Sequence, residues 1–400
     1  MRMTIFKRLV ILLPGFEHMP VEAHHRRFVR EAGKTAPVYD MTVSEPSPLS
    51  VSAVEDGVAM GRFSLHAKGD DWAAHTDFVL YGLGDITLFY ASRNPVVRLL
   101  SGLLALLDFI VSGTFFRFIM TSWRYALFFV YPLLVLAAIV ITSIGMGYLV
   151  DDAFPNSPFV LAGTSLLAGI CLLWFSAAKL HLLLLMDDWT FARDMARGKR
   201  SDVMTKMEKV VGHAASLISE APSDTEVIIA AHSLGAICAL PIIDEAVKRN
   251  KSRRYGLLTV GSSLLKVALH PAASRLRDCV ANVAQSNTTW IDAQSLTDPM
   301  NFYKSDPIRD LDIAKGKSPV LMQVRFRHQL CDETYKAIRR DFFRVHRQFV
   351  FGVDKRTHYS WHAILCGPQR FADIAARGGL PCEKTLCSKD SLKIVGPAIT

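Results

Sequence analysis

Two long stretches of this chain lack charge altogether. Residues 125–150 and residues 153–178 contain no Asp, Glu, Lys or Arg. About 20 apolar residues suffice to cross a bilayer as a helix, so two uncharged runs of this length exclude an ordinary soluble protein with a buried helical hairpin. The N-terminal run does not resemble an export signal, so none is expected there. Lys7 and Arg8 precede only Leu9, Val10, Ile11, Leu12 and Leu13 before Pro14, with no small-residue cleavage site. The seven cysteines, at 171, 238, 279, 331, 366, 382 and 387, are odd in number and lack metal-type spacing, which argues against a disulfide scaffold and a zinc site. His24 and His25 are adjacent, and adjacent positions on a helix do not face each other, so no metal is expected there. No internal repeat and no DNA- or RNA-binding module accompanies the basic residues, so nucleic acid is not an expected partner.

What is present is apolar bulk and positive charge. Half of the 400 residues are hydrophobic and the formal net charge is +9. This length implies two or three domains, or one enlarged domain with an insertion. The acidic link 151–157 joins the two runs, and Arg117, Arg124, Lys179, Arg193, Arg197, Lys199 and Arg200 flank them. Positive flanks stay in the cytoplasm, so the hairpin is expected to put both ends inside and the Asp151–Asp152 turn outside. A third apolar stretch, Leu99 to Phe116, is interrupted by Asp108. If the chain on both sides of the insertion forms one domain, the number of crossings is even, which makes 97–116 an interfacial or re-entrant helix. A second basic group, Arg325, Arg327, Arg339, Arg340, Arg344 and Arg347, fits attraction to anionic headgroups.

The most informative segment lies beyond the hairpin. Val227, Ile228, Ile229, Ala230 and Ala231 form a β-prone run that ends at His232, Ser233, Leu234 and Gly235, before a helix-prone stretch. A strand, a sharp turn and a helix would expose the Ser233 hydroxyl at the apex. Small residues are needed two positions before and after the serine, and Ala231 and Gly235 meet that need. His232, beside the serine, is read as packing or orienting the elbow. Residues 8–13 read as another buried strand followed by Pro14, Gly15, Phe16 and Glu17. Such a turn can present a backbone N–H to an oxyanion, from Phe16 or Glu17, with the N–H of Leu234 as second donor.

Strands are expected at 36–43, 63–67, 226–231, 255–260, 288–292, 319–326 and 347–353, with helices between them. This alternation predicts an α/β fold with a mainly parallel sheet flanked by helices, carrying an inserted two-helix transmembrane hairpin. The expected boundaries are 1–96 and 187–380 for the two parts of the domain. Between them lies the insertion 97–186, with spans at about 125–150 and 158–180, and a tail covers 381–400.

A serine hydroxyl needs a base, and the base needs an acid to orient it. Asp298, before Pro299 in a loop after the Trp290 strand, is the expected acid, with Asp292 and Asp306 as rivals. His358, after the expected strand 347–353, is the expected base, with His362 as runner-up. The run Ala231, His232, Ser233, Leu234, Gly235 and Ala236 resembles the nucleophile elbow of the α/β-hydrolase superfamily, especially its lipases and esterases. Leu13, Pro14, Gly15 and Phe16 resemble its oxyanion turn, Asp298 and Pro299 its acid loop, and His358 with Tyr359 its histidine loop. The likeness spans roughly residues 8–96 and 187–375. It implies a serine esterase that needs no cofactor: Ser233 attacks an ester carbonyl, His358 moves the proton, Asp298 holds the imidazolium, and Phe16 and Leu234 hold the oxyanion. The expected setting is a plasma membrane of the bacterial inner-membrane type, with the domain cytoplasmic and a lipid or other acyl ester as substrate. The alternative is a hydrolase-fold membrane protein without catalysis that binds a partner or lipid. A channel or transporter fits poorly, because two spans without charge offer no polar path.

In a cysteine-depleted background, a cysteine at Asp152 and one at Lys251 should react with an impermeant maleimide from opposite sides of the membrane. Labelling of both from one side would overturn the two-crossing topology.

Overall fold

The structure, a computed structural model, describes residues 4–54, 57–154 and 159–382. The tail beyond residue 382 and part of the link between the two apolar runs lie outside the described residues. In chain order the strands are β1 (Thr4–Leu13), β2 (Thr42–Val43), β3 (Ser50–Val54), β4 (Val58–Lys68), β5 (Trp72–Tyr81), β6 (Glu226–His232), β7 (Tyr255–Val260), β8 (Thr288–Ser295) and β9 (Val320–Val324). The principal helices are α1 (Val21–Thr35), α2 (Gly84–Ala91), α3 (Pro95–Val111), α4 (Thr114–Thr121), α5 (Trp123–Ala153), α6 (Val160–Lys179), α7 (Leu182–Arg197), α8 (Ser201–Glu220) and α9 (Ala236–Arg249).

One mixed sheet runs in the order β2-β4-β5-β1-β6-β7-β8-β9, with β3 paired to β4. From β5 to β9 every pairing is parallel; β2, β3 and β4 add an antiparallel edge. The fold is therefore mixed α/β with a mostly parallel sheet flanked by helices, as the alternating pattern predicts. Residues 10–13 of β1 and 227–232 of β6 are buried because both faces of the central strands are covered there. Val10, Leu12, Ile228, Ala230, Leu258 and Val260 meet Phe28, Tyr359, Ile364 and Phe371 in one core layer. The alternate residues point the other way, toward the side where α9 packs on α8 and the helix Ser274–Ala284.

The chain leaves β1 toward β5 on one side and later returns to β6 on the other. The carboxyl ends of β1 and β6 are thus the point where strand order reverses, the place in open α/β sheets where a crevice forms. Registration is tight there: Leu13 pairs with Ala231. Arg8 secures the opposite end of β1. Its buried guanidinium donates to Glu226 at 2.8 Å and to the carbonyls of Leu365, Gly367 and Gln369 at 2.9, 3.1 and 2.9 Å. A charge buried this deeply is tolerated because it has a counter-charge and several acceptors.

The chain divides after Thr87 and after Asp194 into two compact units, one of which is Leu88–Asp194. Within that unit, α5 and α6 are long and apolar enough to cross a membrane, with mean hydropathies of 2.6 and 1.9. α3 explains how a charged stretch stays apolar outside. Val97, Leu100, Leu104, Leu107 and Val111 are exposed along it, while Gly102, Ala105, Leu106 and Phe109 are buried. Its charges are paired: Arg98 donates to the buried Asp187 at 2.6 Å, and Asp108 lies 3.5 Å from Arg193. Phe109, Phe118 and Phe129 pack around the fully buried Trp189.

Two expected strands need correction. Residues 36–43 form a short 3-10 helix, Ala36–Tyr39, before the two-residue β2. Residues 347–353 are not a strand either; a helix at Phe342–Arg347 leads into a 3-10 turn at Gln348–Val350. Phe349 is fully buried there, 4.9 Å from the Phe326 ring, and its carbonyl accepts the Tyr359 hydroxyl at 2.6 Å. A side chain satisfies the backbone, so this β-prone run needs no ladder.

A methyl on Gly235 would meet the Leu13 and Pro14 carbonyl oxygens at 2.4 and 2.7 Å. Both are backbone atoms of the central strand and its turn. Gly235→Ala should therefore destabilise the domain by about 1–3 kcal/mol or more, measured by denaturant unfolding in detergent. Wild-type stability in this variant would contradict the packing described.

Candidate active site

Four segments meet at the carboxyl ends of β1, β6, β7 and β8. The first is the elbow. Ser233 follows β6 directly, with φ +54°, and a 3-10 turn, Ser233–Gly235, leads into α9. A non-glycine residue in the left-handed region costs roughly 1–2 kcal/mol, and such strain clusters at functional positions. Ala231 is fully buried between Leu13 and Thr259, so its methyl is accommodated where a glycine was the alternative. The start of α9 lies directly behind the serine, where the helix dipole favours negative charge.

The second segment is the turn after β1. A Cβ on Gly15 would fall 2.8 Å from Ser233 Cβ and 3.3 Å from His232 Nδ1. The expected oxyanion turn thus lies directly against the elbow. Of its two candidate donors, Glu17 has its N–H committed to the Gly15 carbonyl at 2.8 Å. That engagement counts against Glu17 as donor.

The third segment follows β7. Ser263 donates its N–H to the Ser233 carbonyl at 3.2 Å, and the two hydroxyls are 3.4 Å apart. Gly261 adopts φ +52°, and a side chain there would press on Phe349 at 2.8 Å and on His346 Cε1 at 3.2 Å.

The fourth holds the acid. Asp298 is buried in the loop after β8, and its Oδ1 accepts the Met300 N–H at 2.9 Å. Its Oδ2 lies 2.7 Å from Nδ1 of His346. The histidine on the expected acid is therefore His346, not His358 or His362. His346 is buried, its ring centroid is 4.7 Å from that of His232, and its carbonyl lies 3.2 Å from His232 Nε2. With Nδ1 facing the carboxylate, the ring is held with its proton on Nδ1. Its Nε2 is buried without a hydrogen-bond partner among the described residues, which leaves a lone pair for a proton.

The other expected residues are placed elsewhere. His358 Nε2 lies 3.0 Å from the Gln323 carbonyl on β9, and burial lowers its pKa. His362 is fully buried at 5.0 Å from the Phe28 ring, and burial, with Arg27 nearby, takes its pKa down to about 3. A group that resists protonation this strongly is core. Asp292 is buried between Thr259 and Gln294, at 2.5 and 2.7 Å, and burial pushes its pKa up to about 6. Asp306 caps the short helix Pro307–Asp310 through the Ile308 N–H. His232 stays neutral because burial, then His346, push its pKa well below 6.5, which fits a residue that packs the elbow.

His346 escaped the sequence reading because the last strand was placed wrongly. With β9 ending at Val324, His346 belongs to the segment after the final strand. One signal was there: Phe342, Val345, His346 and Phe349 recur at helical spacing, placing one histidine on the apolar side of a basic helix. Comparison with protein-family models, curated proteins and solved structures finds no match.

Because Ser233 occupies the left-handed region, Ser233→Gly should be more stable than Ser233→Ala by about 1 kcal/mol, as read from urea unfolding of the two purified variants. Equal stability would contradict the strained turn.

Proposed function

We propose that this chain is a membrane-anchored serine hydrolase of the α/β-hydrolase type that cleaves a lipid or other acyl ester. The observation that carries the reading is the Asp298–His346 pair at 2.7 Å, with the His346 ring 4.7 Å from that of His232, the residue before the strained Ser233. The base assigned here is His346 in place of His358. Ser233 Oγ attacks the ester carbonyl while His346 Nε2 takes its proton. Asp298 holds the tautomer and stabilises the imidazolium that forms. The N–H groups of Phe16 and Leu234 receive the oxyanion, the first from the turn after β1 and the second from the start of α9. The tetrahedral intermediate collapses, and His346 returns the proton to the departing alcohol. Water then attacks the acyl-enzyme with His346 as base, releasing the acid and restoring Ser233. The chemistry asks for no cofactor.

The order of elements supports the α/β-hydrolase assignment: nucleophile after β6, acid after β8, base after β9, with β1 beside β6 to supply the oxyanion turn. The apolar hairpin α5–α6 supports the anchor. The apolar outer stripe of α3 supports its placement as an in-plane helix. Basic flanks favour a cytoplasmic domain with the Asp151–Asp152 turn on the far side, in a plasma membrane.

A fluorophosphonate probe applied to the detergent-solubilised protein should label wild type at Ser233 and leave Ser233→Ala unlabelled. His346→Ala should label roughly a thousand-fold or more slowly, while His358→Ala should retain labelling. A folded wild type that does not react would sink the hydrolase reading. A His346→Ala variant reacting at the wild-type rate would remove His346 from the mechanism.

A further inference from the structure

One carboxylate next to this site is not used by the reaction. Glu17 follows Phe16 in the turn that faces Ser233, and its side chain is only 13 % exposed. Arg27, on α1, grips it with both guanidinium nitrogens: Nη1 donates to Oε1 at 3.1 Å and Nη2 to Oε2 at 2.8 Å. Arg27 is itself only 11 % exposed and lies over the Phe351 ring at 5.7 Å. On the other side Arg347 Nε lies 3.9 Å from Glu17 Oε1, and Arg347 is the residue after His346. The Glu17 backbone is held too. Its N–H closes on the Gly15 carbonyl at 2.8 Å, and its carbonyl accepts the Thr87 hydroxyl at 3.1 Å. His24 Nδ1 stands 3.7 Å from the carboxylate.

We propose that Glu17 is a positioning residue that locks the oxyanion turn to the segment bearing the base. It touches neither substrate nor reacting atoms. Its carboxylate links the turn that carries Phe16, the residue before it, to Arg347, the residue after His346, with Arg27 on α1 as the fixed post. A bidentate arginine–carboxylate pair sets orientation as well as distance, and a misplacement of about 1 Å at a reacting centre can cost about a hundred-fold in rate. Burial alone would raise the Glu17 carboxyl, but Arg27, charged and hydrogen-bonded to it, holds its pKa down to about 2. The lock therefore stays charged across the working range of a histidine base.

The inference rests on the hydrolase reading, and the experiment separates the two. Wild type, Glu17→Gln, Arg347→Met and the double variant E17Q/R27M are compared in detergent for p-nitrophenyl butyrate turnover, fluorophosphonate labelling and thermal unfolding. Glu17→Gln should lower kcat and the labelling rate by about 10- to 100-fold with KM changed less than about three-fold. Arg347→Met should lower kcat by a smaller factor in the same sense. If Glu17→Gln fails to fold because Arg27 is left unpaired, the double variant removes both charges. Recovery of its melting temperature without recovery of kcat supports the positioning role. Wild-type kcat in either folded variant, or a loss confined to KM, overturns it while leaving the hydrolase reading intact. A folded wild type that neither labels nor turns over the ester overturns both.

Discussion

The turn after β1 and the elbow after β6 are packed so closely that neither has room for one more carbon. Gly15 faces Ser233 Cβ at the distance a methyl would need, and Gly235 faces the Leu13 and Pro14 carbonyls. Everything else at the site depends on this closeness. It brings residues far apart in the sequence, 15 and 233, into one crevice. It also sets the small-residue requirement on both segments, because a protein interior packed at crystal density cannot yield half an ångström without shifting its neighbours. Pairing of β1 with β6 holds the two together, and the buried guanidinium of Arg8 ties their far ends to the helix Trp361–Cys366 and the loop after it.

The charges around the crevice divide by environment. Asp298 has a histidine partner and a backbone donor; Asp292 has only neutral partners and a raised pKa; Glu17 has arginines and a lowered one. Three carboxylates of the same domain thereby acquire three behaviours. The histidines divide similarly. His362 and His232 are kept neutral by burial, His358 faces the edge of β9, and His346 stands against the buried Asp298 carboxylate.

Much of the architecture was legible in the sequence because it rests on local pattern. The apolar run of β6, its small residues and the helix after it predict the elbow, and β7 is found at the residues expected, Tyr255–Val260. The α5–α6 pair follows from hydropathy alone. Asp298 was legible from its place after the Trp290 strand. The histidine that meets it was not, because the β-prone run 347–353 holds a 3-10 turn at Gln348–Val350, fixed by contacts far away in the chain: Phe326 beside Phe349, and the Tyr359 hydroxyl on its carbonyl. No local propensity reports such contacts, and a strand at 347–353 would put His358, not His346, after the last strand.

By itself the sequence determined the alternation of strands and helices, the two apolar helices long enough to cross a membrane, the serine at a strand–helix turn and the aspartate after a later strand. These depend on periodicity, side-chain size and hydropathy within a dozen residues. Only the tertiary structure decided which histidine meets Asp298, how near Gly15 comes to Ser233, and that Glu17 spans Arg27 and Arg347. Those are distances between segments up to about three hundred residues apart, and they exist only once the sheet has set the order of its strands.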